Sequence, residues 1–323
     1  MATLQPGIEE LGPAPGAASP DYEVSLVSLN QWQLAWKRFK KHHMAVIGTG
    51  MLLAILAIGL TGFVMSFTGI FDPIAVPVPI KGCGSGCPPS FAAGNFHIFG
   101  TTGGLQRDVF QLVVVGSWLS LLIGIGASLI AAFIGAVVGG VAGYFGGWTD
   151  GLLMRVCDVL LSLPLLFVIL VVANFVGQGR GDWYTVMLVF AVFGWAGLGR
   201  LVRSVFLSLR GETFVDAARA VGVSSTRIIF KHILPNSISP IIVATTLSIA
   251  AVIVGEAFVS YLGFGVNPLT PTWGNVLSNA QNYLAQGNWW WAFFPGLFIV
   301  LTVLAVNFMG DGLRDALDPR ARL

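Results

Sequence analysis

Residues 200–236 read RLVRSVFLSLRGETFVDAARAVGVSSTRIIFKHILPN, a basic segment caught between two apolar runs, Tyr184 to Val205 and Ile238 to Phe264. Its punctuation predicts two short helices. Thr213 and Asp216 have the T-x-x-D spacing of an N-terminal cap, Phe214, Ala217, Ala218 and Val221 recur at i, i+3, i+4 and i+7, and Gly222 stands where a left-handed C-terminal residue is expected. Ser224 and Ser225 are placed to cap a second helix that carries Ile228, Ile229 and His232 and ends at Leu234 and Pro235. Periodicity leaves two readings open. Either the small face of Ala217 and Ala218 enters a groove on a partner, or an ordinary amphipathic loop packs on its own protein.

Outward from this loop the composition excludes a water-soluble surface. Of 323 residues 55% are hydrophobic and 10% charged, against about 25% charged in an average soluble domain. Six apolar runs are long enough to cross a hydrocarbon core of about 30 Å as helices: Met44 to Phe67, Leu112 to Ala142, Val159 to Val176, Tyr184 to Val205, Ile238 to Phe264 and Trp289 to Gly310. The fold class expected is all-α integral membrane with six transmembrane helices. Net charge is only +2, so no general affinity for nucleic acid follows, and membrane lipid is the expected surroundings.

Basic residues gather in loops on the cytoplasmic side of a membrane. With both termini in the cytoplasm, only Lys81, Arg107 and Arg180 of the 17 Lys and Arg fall outside. The reverse arrangement inverts the ratio. Residues 1–30 are rich in Pro, Gly, Ala and Ser without Lys or Arg, and they read as a disordered cytoplasmic tail. Residues 31–67 hold an interfacial helix and the first span: in QWQLAWKRFKKHH, Trp32, Trp36 and Phe39 share a face while four cations occupy the rest. Residues 68–111 form an extracytoplasmic loop. Residues 112–323 form a five-helix core with the cytoplasmic loop at 200–237.

The extracytoplasmic loop contains Cys83-Gly-Ser-Gly-Cys87. On an oxidising face the two thiols fit a disulfide. They are too few for structural zinc, even with His97 added, so no metal is expected. Cys157 reads as buried packing. In the second run Gly135, Gly139 and Gly143 make a stripe on which backbones approach closely, either inside this chain or at a subunit interface. Glu256 lies inside the fifth span, where an ionised group costs on the order of 3 kcal/mol and faces protein or water. Two readings stay open for it, a translocation-path group or a helix–helix hydrogen bond near the outer end. Asn174 and Asn307 are candidates for a translocation path, and Asp158 is expected to pair with Arg155 three residues earlier.

No H-E-x-x-H, G-x-S-x-G or G-x-x-x-x-G-K-[ST] motif occurs. No hydrolytic or nucleotide site is thus expected, no catalytic residue is assigned, and any ATP must be bound by another chain. An ion-driven secondary transporter would need paired intramembrane ionisable residues, where Glu256 is a single candidate. An intramembrane hydrolase would need a nucleophile and base.

Here the residues resemble a known family. Asp216-Ala217-Ala218, Gly222 four residues on, and His232-Ile233-Leu234-Pro235 are similar to the EAA loop of ATP-binding-cassette importer permeases, with Asp in place of the usual Glu. Gly255-Glu256-Ala257-Phe258-Val259-Ser260-Tyr261-Leu262-Gly263-Phe264-Gly265, continuing to Trp273-Gly274, resembles the signature of the C-type subunit in the dipeptide/oligopeptide/nickel permease group. So does Phe99-Gly100-Thr101 followed by Arg107-Asp108-Val109, although Thr102 and Gln106 replace that group's Asp and Gly. The resemblance implies a type I importer permease fold in the inner membrane of a prokaryote. It implies a non-enzymatic subunit with no cofactor of its own, while ATP and Mg are bound by one or two partner ATPase subunits. A homologous second permease and an extracytoplasmic substrate-binding protein complete the expected partners. The cargo implied is short peptides, with nickel or oligosaccharides as alternatives. Asp216, Ala217, Ala218, Gly222, His232, Leu234 and Pro235 would couple to the ATPase. The segment from Gly265 to Asn288, with Trp273, would lie beneath the binding protein and help close an outer gate.

Overall fold

The computed structural model describes residues 31–71, 86–92, 95–176 and 182–317. The tail at 1–30, Lys81, Cys83, Arg180, Arg320 and Arg322 lie outside the described residues. The chain is helical, in the order α1 (Gln31–Lys41), α2 (His43–Phe67), a small hairpin of β1 (Ser90–Ala92) and β2 (Asn95–His97), α3 (Val109–Phe145), α4 (Gly147–Ser162), α5 (Leu165–Val176), α6 (Trp183–Arg210), α7 (Thr213–Ala220), α8 (Ser225–Ile228), a π-helical turn (Ile229–Ile233), α9 (Leu234–Tyr261), α10 (Trp273–Leu284) and α11 (Trp289–Leu317). The strands are antiparallel, with Ser90 opposite His97.

Five helical stretches among the described residues are long and apolar enough to cross a membrane: α2, α3, α6, the run Ser225–Tyr261, and α11. The expected third span is the exception. It is divided between the end of α4 and α5, with Leu163 extended at φ −80°, ψ 127°. Pro164 is the cause, because its ring bars the helical conformation from the residue before it and supplies no N–H. The expected pair of Asp158 with Arg155 is also replaced. Asp158 instead bonds Arg200 of α6, a partner 42 residues away that helical spacing could not reveal.

The long α3 is the axis of the bundle, packing on α2, α6 and α9, with its most extensive contact on α6. Lipid tails are as apolar as side chains, so helix association there rests on close packing. The glycine stripe provides it inside this chain. A Cβ on Gly139 would collide with the carbonyl oxygen of Gly199, and one on Gly143 would lie 2.7 Å from Phe206 Cβ and 2.8 Å from the Arg203 carbonyl. Gly48 and Gly62 serve α2 similarly, against Ala305 and Phe308 of α11 and against Val114 of α3. Cys157 is fully buried beside Ala131, Trp195 and Ala196, within α4.

Gly139→Ala is therefore expected to lower stability by about 1–3 kcal/mol through overpacking. Gly151→Ala, whose Cβ would meet open space on α4, should be neutral or stabilise by up to about 1 kcal/mol. Thermal unfolding of the detergent-purified chain compares them, and equal midpoints would remove the α3–α6 contact from its central place.

Candidate functional site

The loop quoted above folds as α7 and α8 at the basic end of the bundle. Glu212, one residue before the expected cap, is the N-cap of α7, and no side chain completes the cap. The C-terminus follows expectation: Gly222 has φ +78°, its N–H donates to the Arg219 carbonyl at 2.9 Å, and the Val223 N–H donates to the Ala218 carbonyl at 3.1 Å. This paired arrangement is a Schellman motif. Open space surrounds a Cβ at Gly222, so glycine is required there for its backbone angle alone.

The expected small face of Ala217 and Ala218 is split by the helix rotation. Ala218 and Val215 are buried with Tyr144, Val202, Phe206, Ile228 and Ile233, in a cluster belonging to this chain. Ala217 is exposed, and beside it stand Phe214, 38% exposed, and Val221, 79% exposed. One face of α7 therefore packs on its own protein, and the other is left exposed. Asp216 is exposed and pairs with Arg219 at 3.1 Å, and Arg219 also lies 5.9 Å from the Tyr144 ring centre.

The second expected helix does not stop at Pro235. Helix runs unbroken from Ser225 to Tyr261, since the π turn rephases the backbone just before the proline. The Leu234 N–H reaches the Ile229 carbonyl, and Asn236 Nδ2 donates to the His232 carbonyl at 2.6 Å. Pro235 then sits in the first turn of α9, where its missing N–H is tolerated. His232 and Leu234 are half-buried, whereas Pro235 is exposed.

Two arginines that sequence reading left in a basic loop fix this end to its neighbours. Arg203 donates to Asp150 of α4 through Nε to Oδ1 and through Nη2 to Oδ2, the latter at 2.6 Å. That hydrogen bond holds the Asp150 carboxyl below the usual carboxylate range. A depressed folded-state pKa stabilises above the unfolded value near 3.9, and the contribution is lost as pH falls through the folded value. Arg210 Nη1 donates to the Tyr144 carbonyl at 2.8 Å. Nothing local in the sequence signals either contact.

At the opposite end the expected gate residues form a tight joint. Glu256 is 1% exposed. Its Oε1 accepts from Ser260 Oγ at 2.8 Å, and its Oε2 has no hydrogen-bond partner among the described residues. Trp273 is fully buried, so it packs the joint and lines no open path in this conformation. Its indole N–H donates to the Val113 carbonyl at 3.2 Å, and its backbone N–H donates to Ser120 Oγ at 3.1 Å. Asn275 Nδ2 ties down the Val266, Asn267 and Thr270 carbonyls. Asn307 is half-buried on α11, and the side chain of Asn174 lies outside the described residues. Cys87 is buried and disulfide-bonded, and its N–H donates to Thr101 Oγ1 at 2.7 Å.

The fold is that of a solved importer membrane chain. A chain of the MetNI methionine ABC transporter in inward facing conformations superposes with a TM-score of 0.52 at 19% identity, over 64% of this chain and 96% of that one. Residues 135–323 match the family described as binding-protein-dependent transport system inner membrane component, and residues 30–74 match the N-terminal TM domain of oligopeptide transport permease C. The dipeptide transport system permease protein DppC of Bacillus subtilis is 39% identical over 93% of this chain and 89% of its own length. The glutathione transport system permease protein GsiD of Salmonella typhimurium is 38% identical over 90% of this chain and 91% of its own. The class is thus a multi-pass membrane permease, a transport subunit and not an enzyme. The chain belongs to the family of binding-protein-dependent transport system inner membrane components.

The two faces of α7 separate by substitution. Ala218→Leu is expected to destabilise the chain by about 1–3 kcal/mol, and Ala217→Leu by less than about 0.5 kcal/mol. Gly222→Ala should cost about 1–2 kcal/mol, seen as faster amide exchange in α7.

Proposed function

We propose that this chain is one of two homologous permease subunits of an ATP-driven importer, that it carries short peptides, and that its basic end faces the cytoplasm of a bacterium whose inner membrane it spans. The observation that carries the docking role is the exposed apolar face of Phe214, Ala217 and Val221 on a helix otherwise tied into the bundle. An apolar face held rigidly at the basic end suits a cleft on a partner, here one or two ATPase subunits that bind ATP and Mg. Asp216, Gly222, His232, Leu234 and Pro235 shape and connect this element, and Ala218 positions it from below.

Alternating access follows if ATP binding in the partner favours one of two packings. A push on α7 passes into α9 through the continuous helix from Ser225. Glu256, Ser260 and Trp273 then form the joint that holds the outer segment, beneath an extracytoplasmic substrate-binding protein. Cys83 is the partner proposed for Cys87. Peptide cargo is supported by the dipeptide and glutathione relatives, both of which carry peptide-bonded compounds by name.

Co-expression with its ATPase, permease and binding-protein partners tests this reading. Val221→Glu and Phe214→Glu are each expected to lower ATPase co-purification and uptake of a labelled dipeptide by about tenfold or more, since burying such side chains is worth about 1.5–3 kcal/mol. The unfolding midpoint should stay unchanged. Undiminished co-purification in both variants would refute docking through this face, and uptake of nickel in preference to dipeptide would refute the cargo.

A further inference from the structure

Helix α1 carries a different chemistry at the same end. Gln33, Trp36, Lys37, Lys40 and Lys41 are all exposed, and their spacing of i, i+3, i+4, i+7 and i+8 gathers them on one face. The other face is already occupied, with Ala35 and Phe39 packed among Ala45, Leu313 and Ala316. Gly312 makes room for this seat, since a Cβ there would collide with Ala45 and lie 3.4 Å from the Phe39 ring. Trp36 and Phe39 are accordingly divided, although the sequence pattern puts them on one face. Trp36 is 58% exposed and Phe39 is buried.

The outward face is organised. The Trp36 ring stacks on Phe39 with centres 6.0 Å apart and planes within 6°. Lys40 Nζ lies 5.0 Å from the Trp36 ring centre, a cation–π contact. The helix contains no Asp or Glu. Among the described residues Lys37, Lys40 and Lys41 make no ion pair, and the neighbouring acid Asp315 is 3.4 Å from His42. Only His42 separates α1 from α2, a span by length and hydropathy whose first turns expose Met44, Val46 and Ile47. That connection fixes α1 at headgroup depth, where an indole and ammonium groups both find their preferred surroundings.

We propose that the Trp36, Lys37, Lys40, Lys41 face is a binding site for anionic phospholipid headgroups of the adjoining leaflet. The ammonium groups meet the phosphates while Trp36 braces the stem of Lys40. The site is independent of the docking role of α7, because it needs only that α2 spans a bilayer.

The test is native mass spectrometry of the full chain, purified with its accompanying subunits in mild detergent and titrated with phosphatidylglycerol or phosphatidylcholine. Wild type should bind phosphatidylglycerol on the order of a hundredfold more tightly than the triple variant Lys37→Gln, Lys40→Gln, Lys41→Gln, because each surface cation contributes about fivefold and the three contributions multiply. Phosphatidylcholine should bind both alike. On the unaltered protein, added salt should release phosphatidylglycerol and millimolar inorganic phosphate should not. Equal binding of phosphatidylglycerol by the triple variant, salt-insensitive binding by wild type, or displacement of the lipid by inorganic phosphate would each overturn the proposal.

Discussion

The approach of Gly139 on α3 to the Gly199 carbonyl on α6 sets the distance between the two helices from which the rest of the bundle hangs. Without a hydrophobic drive between helices in lipid, contact distance decides association, and a single methyl group at this crossing would hold the backbones apart. One turn further along, Gly143 admits Phe206 and the Arg203 backbone. That placement lets Arg203 reach Asp150 and makes Phe206 the floor on which Val215, Ile228 and Ile233 pack. The position of α7 is therefore inherited in part from the stripe of glycines that seats α6.

Rigidity in the loop comes from backbone devices more than from side-chain caps. Neither α7 nor α8 has a side-chain N-cap bond, yet the Schellman motif at Gly222 closes one and the π turn merges the other into the span. The π turn also accommodates Pro235. An α-helix at that position would lose one hydrogen bond and clash with the carbonyl four residues earlier, whereas a proline entered from a wider turn begins a helix instead of breaking one. Between α7 and the helix that continues into α9 the connection is thus only the four residues Val221 to Ser224, held by the Schellman bonds.

Much of this was legible in the sequence because hydrophobic length reports spans directly. The limits of α2 and the left-handed Gly222 came from run length and turn chemistry. Failures cluster where an amphipathic stripe is wider than a single contact. Ala217 with Ala218, and Trp36 with Phe39, each belong to one stripe by spacing, and only the neighbour that α6 or α11 presents decides which member turns inward. Long-range pairs such as Asp158 with Arg200 leave no periodic trace. Pro164 did leave one, but the apolar run around it is continuous by hydropathy, so composition masked a break that backbone sterics enforce.

The junction of α9 with the segment leading into α10 shows the opposite design from the α3–α6 crossing. There, Gly265 and Gly274 lie against Ser260, and the bonds that hold the segment are those of Ser260, Asn275, Ser120 and the Trp273 indole. Hydrogen bonds weaken steeply with misalignment, but their partners can be exchanged without opening a cavity, which an interdigitated apolar core cannot do without loss. The buried Glu256 side chain, held by Ser260 Oγ, belongs to the same polar joint. From Leu234 to Glu256 the helix extends about 33 Å at 1.5 Å per residue. The continuous helix thus joins the end that carries α7 to a junction whose contacts are polar and exchangeable, with the close-packed middle of the bundle between them.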